Sequence, residues 1–89
     1  MHVGLLASDG CFSSGLTALI DVLSTAQAER PGVDPSIPPI RVDVTGTGRT
    51  VTTGAGLTVP VTMPLRELPA ADVVVVPALG TMKIGRAHV

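Results

Sequence analysis

Four consecutive valines, Val73–Val76, are preceded by Ala70-Ala71-Asp72 and followed by Pro77-Ala78-Leu79. Side chains alternate sides along β structure, so an unbroken apolar run predicts a strand covered on both faces. That is the environment of a central strand in a parallel sheet with helices on either side. Valine is stiff at its first side-chain torsion and fits a pleated surface better than a helix. Asp72 marks the polar entry, and Pro77, with no amide hydrogen to donate, ends the ladder.

The rest of the chain shows shorter patterns. His2–Ala7 is apolar throughout apart from His2 and predicts a short buried strand, closed by the turn signal Ser8-Asp9-Gly10. Leu16, Leu19, Ile20 and Leu23 recur at i, i+3, i+4 and i+7, with Val22 and Ala26 flanking them. This spacing predicts an amphipathic helix from an N-cap at Ser13 or Ser14 to about Ala28, with Thr17, Asp21, Ser24 and Gln27 outward. Glu29-Arg30-Pro31-Gly32 is expected to end it, and Val33–Pro39 to form a loop. Ile40, Val42 and Val44 alternate with Arg41, Asp43 and Thr45, which predicts a strand with one wet face, nearer the sheet edge than the first strand. Thr50–Thr53 and Leu57–Val61 predict a small hairpin around Gly54-Ala55-Gly56. Pro64–Leu68 predicts one helical turn with Pro64 in a first-turn position.

Strand, helix, strand, hairpin excursion and strand make the start of a doubly wound α/β fold with a mostly parallel sheet, a truncated flavodoxin-like three-layer sandwich. Ligands of such sheets bind just beyond the carboxyl ends of the strands. At 89 residues the chain is one domain at most. A hydrophobic fraction of 45%, with 15% charged and 1% aromatic residues, implies an ordered, aliphatic core. A net charge of -1 offers no electrostatic footprint for nucleic acid or an anionic membrane. No apolar run approaches the roughly 20 residues that span a bilayer, and the start lacks the basic region of a signal peptide. The expected location is cytoplasmic. The single cysteine, Cys11, excludes an internal disulfide and a cysteine-based metal site.

Candidate chemistry gathers at the carboxyl end of the first strand. Asp9, Gly10 and Cys11 are the candidate ligand-binding residues; no catalytic residue, metal site or cofactor is expected. Asp9 stands where a ligand-facing acid is expected, although its place in an Asp-Gly turn is the simpler explanation of it. Cys11 is the one strong nucleophile, but it has no base partner, since His2 lies at the other end of the strand, and free cysteine is often simply buried. Gly10 and Gly15 flank a strand-to-helix turn that could cradle a phosphate. Their spacing does not fit G-x-G-x-x-G, and no acidic residue follows the second strand as a ribose partner. Gly46-Thr47-Gly48 and Gly54-Ala55-Gly56 are loop and hairpin glycines.

The tail stands apart. Lys83-Ile84-Gly85-Arg86-Ala87-His88-Val89 has no helical apolar period and back-translates as AAG ATC GGA AGA GCA CAC GTC, which resembles a common sequencing-adapter oligonucleotide read in frame. Residues 1–82 are therefore expected to be native, and 83–89 to be adapter read-through.

Residues 1–82 resemble the beginning of the ThiJ/PfpI superfamily, the class I glutamine-amidotransferase-like fold. The resemblance rests on the first strand running into Asp9-Gly10, on Leu19-Ile20-Asp21-Val22-Leu23-Ser24-Thr25-Ala26, and on Ala71-Asp72-Val73-Val74-Val75-Val76-Pro77-Ala78-Leu79-Gly80. Between them, Arg41-Val42-Asp43-Val44 and Val51–Val59 look like the second strand and its hairpin. The version here is most similar to the N-terminal domain of AraC-type transcriptional regulators. It implies an unknown small-molecule ligand, a homodimeric parent, DNA contact only through a missing C-terminal helix-turn-helix domain, and no membrane. The alternative is a fragment of a superfamily enzyme of amidase, glyoxalase or peptidase-like type. The resemblance places the nucleophile cysteine on an elbow after the next strand, about 30 residues further on. It places the acidic partner six residues before Asp21, at Gly15, which has no carboxylate. This leans toward a binding domain. The half-sheet is also expected to expose an apolar face and an open strand edge.

Overall fold

The computed structural model describes residues 1–78. The element order is β1 (His2–Leu6), α1 (Ser13–Val33), β2 (Arg41–Thr45), β3 (Thr50–Thr52), β4 (Thr58–Pro60), a 3-10 helix (Leu65–Ala70) and β5 (Val73–Val75). β1, β2 and β5 form a parallel sheet in the order β2-β1-β5, and β3 and β4 form a separate antiparallel hairpin. This is the α/β architecture that the pattern predicts.

Register explains which residues form the core. Val3 lies beside Val42 and Val73, and Leu5 beside Val44 and Val75. These residues share one sheet face, and Leu16, Leu19, Ile20 and Leu23 of α1 cover it. Val3, Leu5, Ala7, Cys11, Leu16, Val44 and Val51 form the buried cluster. The opposite face carries Gly4, where the chain folds back closely. A Cβ built on Gly4 would meet the Leu68 Cδ1 at 2.6 Å and the Ala71 Cβ at 3.4 Å. The segment around the 3-10 helix thus lies directly on the central strand.

Three local expectations are corrected. The helix is capped by Phe12 rather than Ser13 or Ser14, because the Ser13 hydroxyl donates instead to the Thr53 Oγ1 at 2.6 Å. It also runs past Ala28 to Val33, with Pro31 inside its last turn. Proline there removes one backbone donor. The end is held from outside: the Asp34 amide donates to the Arg30 carbonyl, and Arg30 Nη1 to the Ile37 carbonyl. The Gln27 Oε1 accepts the Ile40 amide. Near the chain's other turn, Pro64 caps a 3-10 helix that extends to Ala70 instead of opening an α turn.

The polar face of the second strand is wet only at its start, where Arg41 is exposed. Asp43 is 6% exposed and Thr45 fully buried. The Thr62 hydroxyl donates to Asp43 Oδ1 at 2.8 Å, while His2 Nε2 and Arg41 Nε each lie 2.8 Å from Oδ2. Burial by itself would raise the Asp43 carboxyl; the bonds from Thr62 and His2 and the Arg41 charge outweigh it and hold the group below its ordinary value. A carboxyl lowered by folding stabilises the folded state above its unfolded value of about 3.9 and ceases to do so as pH falls through its folded one. Asp43→Asn is therefore expected to flatten the loss of stability below about pH 4. Urea midpoints measured against pH test this; wild-type and variant curves that stay parallel through the acid range would contradict it.

The valine run predicts a central strand in a complete sheet and, in this half-sheet, an open strand edge; the open edge is what is seen. β1 is the central strand, and β5 is an edge of the sheet among the described residues. Val73, Val74 and Val76 are 42%, 47% and 67% exposed. The residue pattern suits a strand with two neighbours and two covered faces, whereas the described chain supplies one neighbour and part of one cover. Leu79 and the tail Lys83–Val89 lie outside the described residues.

Candidate functional site at the strand carboxyl ends

The carboxyl ends of β1, β2 and β5 surround a cleft of about 310 Å³. Leu6, Ala7, Ser8 and Asp9 contribute from β1, Gly46, Thr47 and Gly48 from the segment after β2, Thr50 and Val51 from β3, and Val76 from the end of β5. Parallel strands bring all these ends to one side of the sheet, which is where ligands of open α/β sheets bind.

The turn between β1 and α1 is bolted to the hairpin. The Gly10 amide donates to the Thr52 carbonyl at 2.9 Å, and the Thr52 amide donates to Asp9 Oδ1 at 2.9 Å. The Gly54 amide donates to the Cys11 carbonyl at 2.8 Å, and the Phe12 amide donates to the Ala78 carbonyl at 2.9 Å. Gly10 has φ 87°, a left-handed conformation that glycine enters without strain. Gly10→Val is expected to cost about 1–3 kcal/mol, since a β-branched residue is strained there. The urea midpoint reads this directly; a variant as stable as the wild type would show that the turn can be rebuilt without glycine.

The three predicted ligand residues take different places. Asp9 lines the cleft, with Oδ1 committed to the hairpin. Gly10 shapes the turn without lining the cleft. Cys11 is fully buried in the core cluster, beside the cleft rather than in it. Gly15 lies over the end of β5: a Cβ built there would sit 3.7 Å from the Pro77 Cβ and 3.9 Å from the Ala78 nitrogen, ordinary contact distances. Thr45, the last residue of β2, is fully buried, and its Oγ1 has no hydrogen-bond partner among the described residues.

Sequence reasoning passed over Gly46-Thr47-Gly48 as a site segment. Its position directly after a parallel strand was the available signal, because chain at that point of such a sheet faces the cleft. A Cβ on Gly46 would come within 3.0 Å of the Ala7 carbonyl oxygen and 3.2 Å of the Val51 Cγ2, so the chain after β2 packs tightly against the end of β1 and against β3. Among the described residues no group of three or more His, Cys, Asp or Glu is arranged to hold a metal ion.

No protein-family model matches the chain, and no curated protein matches its sequence. Solved structures do match. An AraC family transcriptional regulator from Pseudomonas putida superposes with a TM-score of 0.69 at 20% identity, covering 98% of this chain and 55% of the regulator. A point mutant of DJ-1 from Schizosaccharomyces pombe superposes with a TM-score of 0.68 at 16% identity, covering 90% of this chain and 42% of DJ-1. The chain thus spans about half the length of these structures or less, and it is built on the α/β fold that both of them contain.

Proposed function

We propose that this chain is the first part of a ligand-sensing and dimerisation domain of an AraC-type transcriptional regulator. The observation that carries the reading is the superposition of the Pseudomonas putida regulator over 98% of the chain. In this reading a small molecule enters the cleft at the strand carboxyl ends. Its binding biases a helix-turn-helix domain encoded further along the gene, in a homodimeric cytoplasmic protein. Native sequence continues beyond Met82, and Lys83–Val89 derive from adapter codons.

Gly15 supports binding over catalysis. The superfamily resemblance puts an acidic partner of the nucleophile at this position, and glycine can neither polarise a thiol nor hold a proton. The competing reading is a superfamily enzyme whose nucleophile elbow lies downstream; the likeness to DJ-1 is its support. No helix among the described residues is long and apolar enough to cross a membrane.

The reading makes a division of labour testable by fluorescence anisotropy. With a net charge of -1, the 89-residue chain is expected to bind duplex DNA no more tightly than about 10⁻⁴ M at physiological salt. The product of the complete reading frame is expected to bind a duplex specifically. Tight binding by the 89-residue chain, or none by the complete product, would overturn the regulator reading.

A further inference from the structure

The residues around the cleft restrict what it can take. Asp9 is the only charged residue lining it among the described residues. The Asp9 Oδ1 accepts the Thr52 amide, which fixes the carboxylate in place, and Oδ2 has no hydrogen bond among the described residues. Ser8, Thr47 and Thr50 add polar groups, and Leu6, Val51 and Val76 add an apolar wall. Arg49 lies between Gly48 and Thr50 in sequence but does not line the cleft. Among the described residues, a ligand carboxylate or phosphate would therefore meet a like charge and no basic side chain. An ammonium group would meet the open carboxylate oxygen, while a short alkyl portion would cover the valine and leucine surface.

We propose that the cleft selects small aliphatic amines in their ammonium form, with Asp9 as the residue that sets this preference. The proposal rests on the cleft being the ligand site. Unit charges about 4 Å apart gain roughly 1 kcal/mol even in bulk water, or about fivefold in affinity, and more where the site is partly desolvated.

The test compares butylammonium, 1-butanol and butyrate, which share one alkyl chain and differ in charge. Backbone amide shifts of Ser8, Asp9, Thr47 and Gly48 report occupancy, recorded on the 89-residue chain at a concentration where sedimentation shows it monomeric. Butylammonium is expected to bind at least about fivefold more tightly than the other two. Asp9→Asn keeps an oxygen for the Thr52 amide, so the turn is retained while the charge is lost; the preference is expected to disappear. In wild type it is also expected to shrink at 1 M salt, where the screening length is about 3 Å. Equal or tighter binding of butanol or butyrate at these residues would overturn the inference and leave the cleft as a ligand site. No shift at these residues with any of the three would overturn the inference as well, while the regulator reading still stands or falls on the DNA measurement.

Discussion

Leu5→Ala is expected to remove most of the stability of this chain. Leu5 is fully buried at the middle of the central strand, flanked in register by Val44 on β2 and Val75 on β5, with α1 over it. Truncating a buried leucine to alanine costs about 2–5 kcal/mol, the upper end applying where neighbours cannot collapse into the space. Here both flanking strands are held to β1 by backbone ladders, so the site has little freedom to close. A domain of this length is stabilised by roughly 5–10 kcal/mol at most, and only eight hydrophobic residues are buried among those described. The midpoint of urea unfolding, followed by far-ultraviolet circular dichroism, gives the answer. A loss below about 1 kcal/mol would mean that β1 is not the centre of the core.

The second large effect concerns association. The outer edge of β5 has no strand partner among the described residues, and Val73, Val74 and Val76 expose apolar surface on both of its faces. An uncharged, valine-rich edge is a template for intermolecular pairing. No lysine interrupts the run, and the nearest charge, Asp72, accepts the His2 amide at 2.8 Å. The isolated chain is therefore expected to self-associate with rising concentration. Val74→Lys with Val76→Lys is expected to return it toward monomer, since both positions are exposed and charge at a strand edge opposes pairing. Sedimentation velocity across a concentration series distinguishes the two. A wild-type chain that stays monomeric and melts in one cooperative transition would refute the claim.

Much of this fold was legible in the residues because their periods are strong. The valine run, the alternation of Ile40–Thr45 and the helical spacing of Leu16, Leu19, Ile20 and Leu23 each point to one element, and their order points to a parallel α/β sheet. What alternation cannot reveal is what covers the polar side of a strand. Asp43 and Thr45 looked solvent-facing because polar residues usually are; the segment from Thr62 to Ala71 folds back over that side, and Thr62 lies 19 residues from Asp43. The helix end was missed for a related reason. Pro31 is a local stop signal, but the contacts that carry the helix to Val33 come from Ile37 and Ile40, beyond the window of a local pattern.

The candidate site was half legible. Asp9 was named from its place after the first strand, and it does line the cleft. Cys11 was named from its chemistry, and it lies in the core because the first residues after the turn tuck under the hairpin. Gly46-Thr47-Gly48 went unrecognised because glycine and threonine carry no distinctive chemistry of their own. Their importance is positional, and position follows from the sheet.

We propose that these residues are the opening of a longer α/β sensor domain. The most direct measurement is the genomic sequence of the locus, read through and beyond the Met82 codon. The genomic frame is expected to depart from Lys83–Val89, to continue into a further strand and helix that complete the sheet, and then to encode a helix-turn-helix. A genomic frame that encodes Lys83–Val89 followed by a stop codon would contradict it, and β5 would then be a true edge of a small self-contained protein.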